Sequence, residues 1–214
     1  MGTTVEDKKS NKKSSAGSGK IKWGLRPEEL AKAGILRDTA SIDGALKRAE
    51  RLIQQGDYRE AKSLLMPHRC ASDNLKRARV MELCAMCGIR SGGTWENALE
   101  TAHTIYTQNQ NLAGLARVQG HLGRASVCEG KFKEANIHYT KAAQLWKNAG
   151  QLHESLAVEG LRGEVLLEVA QPHKALVVID RCLAGLWQMG HLGRASLLQI
   201  DRARILTHLG EKKA

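Results

Sequence analysis

Apolar side chains in the central part of this chain recur at alternating steps of three and four residues. Between residues 132 and 146 they are Phe132, Ala135, Tyr139, Ala142 and Trp146. This spacing places all five on one side of an α-helix. Gly130 stands just before them and can end a preceding helix, because glycine adopts the left-handed backbone of a helix C-terminus without strain. The segment therefore predicts the turn and second helix of a helical hairpin.

The same turn returns along the chain. Its glycine-like positions are Gly56, Gly93, Gly130, Ala170 and Gly210, which are 37, 37, 40 and 40 residues apart. Five residues after the first four of them stand Ala61, Ala98, Ala135 and Ala175, and eighteen residues before the last four stand Leu75, Leu112, Leu152 and Leu192. A small side chain at a fixed place lets two helices approach to roughly 8–10 Å. Such a period predicts a repeat array.

The helices of the array follow from this phase. First helices are predicted near 41–55, 74–90, 112–128, 152–168 and 192–208, and second helices near 58–68, 95–107, 132–147 and 172–188. The predicted fold is all-α, a right-handed superhelical solenoid of about four and a half antiparallel hairpins over residues 41–214. Residues 23–40 are predicted to be a capping or transition segment, because the end faces of solenoids are apolar and need a cover.

These residues resemble the tetratricopeptide repeat (TPR). The segment from Gly56 to Ala61 matches the G-D-Y-x-E-A turn of that family, and Leu122-Gly123 matches the Leu-Gly pair of its first helix. The intervals exceed the family's usual length of roughly 34 residues and resemble its long-hairpin members. The resemblance covers roughly residues 40–214. It implies a fold whose first helices line a concave, partner-binding face.

A basic tail precedes the array. The chain has a net charge of +11, and within residues 1–22 six lysines against Glu6 and Asp7 give +4, which leaves +7 for the rest. Lys8, Lys9, Lys12 and Lys13 stand among serine, glycine and asparagine with no apolar period, so this tail is predicted to be disordered. It is either a solubilising leader or a segment for nuclear import or contact with an anionic surface.

The residues that usually carry chemistry do not form a recognised pattern. His68, Cys70, Cys84 and Cys87 reach the ligand count of a zinc site. However, the last two fall within a predicted helix rather than a turn, so we interpret them as buried cysteines and predict no metal or cofactor. The eight histidines are scattered and no phosphate-binding loop is present. The sequence therefore predicts a protein that is not an enzyme.

Five cysteines without a scaffold spacing are typical of a reducing compartment, so the protein is expected to be intracellular, either cytoplasmic or nuclear. No apolar run reaches the length of a membrane span.

The repeat phase also predicts a partner-binding groove on the first helices. Its residues would be Leu46, Glu50, Leu83, Cys87, Gly120, Arg124, Gly160, Glu164, Ile200 and Arg204. Gly120 and Gly160 would let a ligand backbone come close. Arg124 and Arg204 either serve this groove or form a solvated face or an ion pair with Glu164.

The predicted function is that of a protein-interaction scaffold or adaptor, which holds a peptide or helix of a partner within a multisubunit assembly. The alternative is a nucleic-acid or anionic-surface binding protein that uses the tail and the basic body. Against it, the aromatic residues occupy packing positions, so none is expected to be free for base stacking.

The last predicted helix, from Leu192 to Leu209, is a first helix without its second. An uncovered apolar side marks an association site. We expect an association face at Leu192, Leu198, Ile205 and Leu209 that binds a second copy, a partner or the remainder of a longer protein.

Deleting residues 1–22 is expected to leave helicity and melting temperature unchanged, because the tail has no apolar surface with which to pack. Circular dichroism of the truncated and full chains tests this. Any affinity for nucleic acid or acidic membranes is expected to fall in the truncated protein. Loss of the fold on truncation would show that the tail is a structural element.

Overall fold

The computed structural model describes residues 41–210, which contain nine α-helices and no strand. They are α1 (Ile42–Gln55), α2 (Tyr58–Leu65), α3 (Asn74–Ser91), α4 (Glu96–Gln108), α5 (Leu112–Cys128), α6 (Phe132–Asn148), α7 (Leu152–Glu168), α8 (Pro172–Gln188) and α9 (Leu192–His208), with a 3₁₀ turn at Met66–His68 after α2. The helices pair as α1–α2, α3–α4, α5–α6 and α7–α8, and α9 is a fifth first helix. The predicted solenoid of four and a half hairpins is confirmed.

The predicted tail (1–22) and capping segment (23–40) lie outside the described residues. Within the described part of the chain, no helix combines the length and the apolar character that crossing a membrane requires.

Helix ends follow the predicted turn chemistry. Gly56 has a φ of +89° and its amide donates to the carbonyl of Ile53, while the amide of Asp57 donates to that of Leu52. These two bonds satisfy carbonyls that the helix leaves unpaired. Ala170, with a φ of +56°, occupies the same kind of position in the fourth hairpin.

The turn of the second hairpin differs from the prediction. The left-handed residue there is Gly92, with a φ of +71°, and not Gly93. The linker is also longer, with four residues against two or three in the other hairpins, because α4 begins only at Glu96. The fourth residue of the second helix is a fully buried alanine in the other hairpins, namely Ala61, Ala135 and Ala175, but here it is Leu99. Ala98 is half-buried and packs against the core of this hairpin, while Leu99 holds the fully buried position.

The helices pack closely because small residues face large ones. A Cβ atom on Gly123 of α5 would lie 2.6 Å from Cε1 of Tyr139 on α6. Only glycine therefore allows α5 and α6 their present approach. Leu122-Gly123 is the pair singled out in the sequence, and the structure gives the reason for its glycine. Each helix packs chiefly on its neighbours along the chain, and the first helices α1 and α3, α3 and α5, and α7 and α9 also touch.

A buried carboxylate joins three helices. Glu82 of α3 has no exposed surface, and its oxygens accept a hydrogen bond at 2.8 Å from the hydroxyl of Tyr106 on α4. They also accept bonds at 3.0 Å from Nε of Arg117 on α5, and one from the guanidinium of Arg79. Nε2 of His121 lies 3.3 Å away. A buried charge is tolerated when it is paired and hydrogen-bonded in this way.

These contacts extend to further helices. Arg79 donates to Glu50 of α1 at 2.7 Å, and the guanidinium of Arg117 lies 5.6 Å from the ring centre of Tyr106 and 6.0 Å from that of Trp146 on α6. We call Glu50, Arg79, Glu82, Tyr106, Arg117 and His121 the Glu82 network. Burial by itself raises the pKa of Glu82, but the hydrogen bond from His121 and the charges of Arg79, His121 and Arg117 outweigh it and lower this pKa to about 2.

Replacing Ala135 with arginine is expected to destabilise the third hairpin, because the position is fully buried in a helix contact. The cost should be several times the roughly 1 kcal/mol of an average substitution. Thermal melting followed by circular dichroism measures it. The matched control is Ala184→Arg on the exposed side of α8, which should melt like the parent. Equal melting temperatures for all three proteins would contradict the packing described here.

Replacing Glu82 with glutamine is expected to lower the free energy of unfolding at neutral pH by about 3 kcal/mol, because two guanidinium groups lose their buried partner. A lowered pKa stabilises the folded state above the ordinary value of roughly 4.3, and this stabilisation is lost as the pH falls toward about 2. Urea unfolding at pH 5 and pH 3 tests this.

The parent protein should lose more stability over that interval than Glu82→Gln. Glu100→Gln, an exposed substitution on α4, should behave as the parent does. A parallel loss in the parent and Glu82→Gln would exclude a stabilising role for the buried charge.

Candidate partner-binding cleft

Three first helices enclose a cleft of about 350 Å³. Its walls belong to α5, α7 and α9, and Phe132 and Tyr139 of α6 contribute to its floor. The remaining lining residues are Arg124, Val127, Cys128, Leu161, Glu164, Val165, Leu167, Glu168, Asp201, Arg204 and Ile205. This α5–α7–α9 cleft combines an apolar floor with a charged rim, as ligand sites in proteins commonly do.

Arg124, Glu164 and Arg204 hold equivalent places on the three helices. The structure thus brings three residues of the predicted groove around one cavity. Nη1 of Arg204 lies 3.6 Å from Oδ1 of Asp201, one turn earlier on α9. Within residues 41–210, no basic nitrogen approaches the carboxylate of Glu164 to within 4.0 Å. The ion pair of Glu164 with Arg124 or Arg204, left open from the sequence, does not form at contact distance.

The rim carboxylates are partly shielded from water. Although Glu164 is an exposed residue, desolvation in the cleft raises the pKa of its carboxyl group, and the charge of Asp201 raises it further. Arg204 and Arg124 oppose this shift. Burial likewise raises the pKa of Asp201, against the effect of Arg204. Desolvation of both carboxyl groups therefore outweighs the neighbouring arginines, and at Glu164 the charge of Asp201 adds to it.

Leu83 and Cys87 do not belong to the groove. Both are buried in the core between α1, α2 and α3. The turn residue of the second hairpin is Gly92 and not Gly93. The residues at the groove positions of the repeat, counted from this turn residue, are therefore Glu82 and Met86, each one residue earlier. Burial raises the pKa of the Cys84 and Cys87 thiols to about 11, which agrees with their interpretation as neutral core residues.

The two groove glycines have different roles. A Cβ atom on Gly160 would lie 2.6 Å from Cδ2 of Leu198 on α9, so this glycine serves helix packing rather than ligand approach. A Cβ atom on Gly120 would meet nothing within 4 Å. The prediction of an open backbone is therefore wrong for Gly160, and the space beside Gly120 is open.

The remaining groove residues lie at the two ends of the array. Leu46 is half-buried against the core between α1, α2 and α3. Glu50 is bound by Arg79 in the Glu82 network. Ile200 is 60% exposed.

The predicted C-terminal association face does not form as a surface. Leu198 and Ile205 are buried in the core between α8 and α9, and Leu209 packs against that core. Only Leu192, 65% exposed, is free as predicted. The apolar residues exposed on α9 are Leu192, Leu197 and Ile200. Self-association through this end stays a prediction and would have to use these three.

One aromatic residue contradicts the expectation that all are packed. Trp187 at the end of α8 is 55% exposed, whereas Tyr106, Tyr139 and Trp146 are buried. The lysines of the tail, the other part of the nucleic-acid alternative, lie outside the described residues.

Comparison with known proteins identifies the fold. No family model and no curated protein matches the chain. Among solved structures, it is similar to the nearly identical TPR-like repeats of a protein assigned as a kinesin light chain from Podosopora anserina, with 16% identity, a TM-score of 0.61 and coverage of 83% of this chain and 90% of that chain. It is also similar to BtubC (BKLC) from P. vanneervenii, with 21% identity, a TM-score of 0.64 and coverage of 86% and 79%.

At this level of identity the similarity concerns the backbone and not the cleft residues. The alignments cover most of the length of both neighbours and of this chain, in agreement with the hairpins predicted from the sequence. The chain therefore has the fold of the TPR-like repeat proteins.

Proposed function

We propose that this protein is an interaction scaffold that holds a segment of a partner protein in the α5–α7–α9 cleft. The observation that carries this proposal is a cavity of about 350 Å³ between three first helices, lined by apolar residues and by five charged side chains. Interfaces between proteins are built in the same way, with an apolar centre and a polar border. A fold of this kind prescribes no chemistry, so the function rests on the cleft itself.

The apolar and the charged residues of the cleft contribute to binding in different ways. Val127, Phe132 and Leu161 are partly exposed and offer apolar area, whose removal from water supplies affinity. Arg124, Glu164 and Arg204 carry full charges at the border, which orient a partner and exclude wrong ones more than they add to affinity. The scaffold thus selects a short segment and does not transform it.

The structure suggests a direct way to block the cleft. Cys128 is the exposed last residue of α5 and lines the cavity. The substitution Cys128→Trp places a large ring over the floor without disturbing the core. The full chain, immobilised and exposed to cell extract, is expected to capture partner proteins that this variant loses at least tenfold, by quantitative mass spectrometry.

The matched control is Ile137→Trp on the exposed side of α6, which does not line the cleft and should keep the partners. Retention of all partners by a folded Cys128→Trp protein would exclude the cleft as the binding site. Repeating the capture at low and high salt separates protein partners from nucleic acid, because phosphate contacts weaken steeply with salt.

A further inference from the structure

The charges of the α5–α7–α9 cleft are not balanced. Three carboxylates line it, on Glu164, Glu168 and Asp201, against the two guanidinium groups of Arg124 and Arg204. Arg204 is directed to Asp201 at 3.6 Å and remains largely exposed, so it neutralises that carboxylate only loosely. Among residues 41–210, Glu164 has no cation within 4.0 Å. A group that enters between α7 and α9 therefore meets carboxylates on both sides.

The repulsion between these carboxylates indicates which kind of partner group the cleft would bind. The carboxyl groups of Glu164 and Asp201 are both partly desolvated, and the charge of Asp201 acts on Glu164 more strongly than that of either arginine. A positive group placed between the two would relieve this repulsion. An acidic side chain at the same place would add to it, so the acidic class of partner segment is disfavoured there.

The floor favours one kind of cation. Val127, Phe132 and Leu161 line the same cleft as the two carboxylates and are partly exposed. Long basic side chains bury their methylene stems on such a surface while the charged head stays at the rim. A guanidinium group is planar and weakly hydrated, and its five donors can bond two carboxylates at once. Arginine matches this site better than lysine does.

We infer that the α5–α7–α9 cleft recognises a partner segment by an arginine whose head lies between Glu164 and Asp201, with an apolar neighbour on the Phe132 floor. This inference rests on the proposed function, since it names the chemistry of the segment that the cleft holds.

Selection from a random library of displayed twelve-residue peptides tests it. The full chain serves as the target and the Cys128→Trp variant as the counter-target, so that only peptides that need the cleft survive. The expected consensus is an arginine next to a large apolar residue. Synthetic peptides of that sequence are then titrated by fluorescence anisotropy against the parent, Glu164→Gln, Asp201→Asn and the distant control Glu100→Gln.

Glu164→Gln and Asp201→Asn are expected to weaken binding at least tenfold and the control less than twofold, with unchanged melting temperatures. Replacing the peptide arginine by the uncharged citrulline should cost as much in the parent and little in Glu164→Gln. Cleft-dependent peptides without a basic residue, or binding unaffected by both substitutions, would overturn the inference and leave the proposed function standing. Recovery of no cleft-dependent peptide would overturn both.

Discussion

Close approach between paired helices is the constraint on which the rest of this structure depends. Tyr139 fits against Gly123 within one hairpin, and Leu198 fits against Gly160 between two successive first helices. A methyl group at either glycine would push the helices apart, because interiors are packed with no spare volume. These contacts fix the distances between α5 and α6 and between α7 and α9. The cleft is the space that α5, α7 and α9 leave open between them, and its lining includes long, charged side chains.

Helix bounds could be predicted from sequence because each hairpin repeats the same three- and four-residue period and ends at a left-handed residue. The phase of the second hairpin could not. Two glycines stand side by side there, and only the backbone shows that Gly92 ends the helix. Taking Gly93 as the turn residue shifted the repeat phase by one residue, so the prediction placed Leu83 and Cys87 in the groove instead of Glu82 and Met86. One signal was present, since Glu82 is a lone acid in the apolar run from Val80 to Cys87.

The cleft was predictable only in part. Arg124, Glu164 and Arg204 followed from the repeat phase, whereas Phe132 and Tyr139 read as packing residues and Asp201 carried no signal. A cavity forms where side chains leave the space between helices unfilled, whereas sequence periodicity indicates only which residues pack. Recurrence is also not the same as burial. Leu112, Leu152 and Leu192 stand eighteen residues before their turns and Leu75 seventeen before Gly92, yet all four are exposed at the starts of first helices.

The Glu82 network gives the two ends of the array different responses to acid. It links α1, α3, α4 and α5 through one ionised carboxylate, while α7, α8 and α9 share a core of aliphatic side chains and a buried cysteine. In a repeat array, stability is a sum of terms between neighbours, so weakening one junction does not weaken the next. Protonation of Glu82 thus weakens the first half of the molecule and leaves the aliphatic core of α7, α8 and α9 in place. The junctions that Glu82 stabilises are therefore the ones that its protonation would open first, while the half bearing most of the cleft does not depend on this carboxylate.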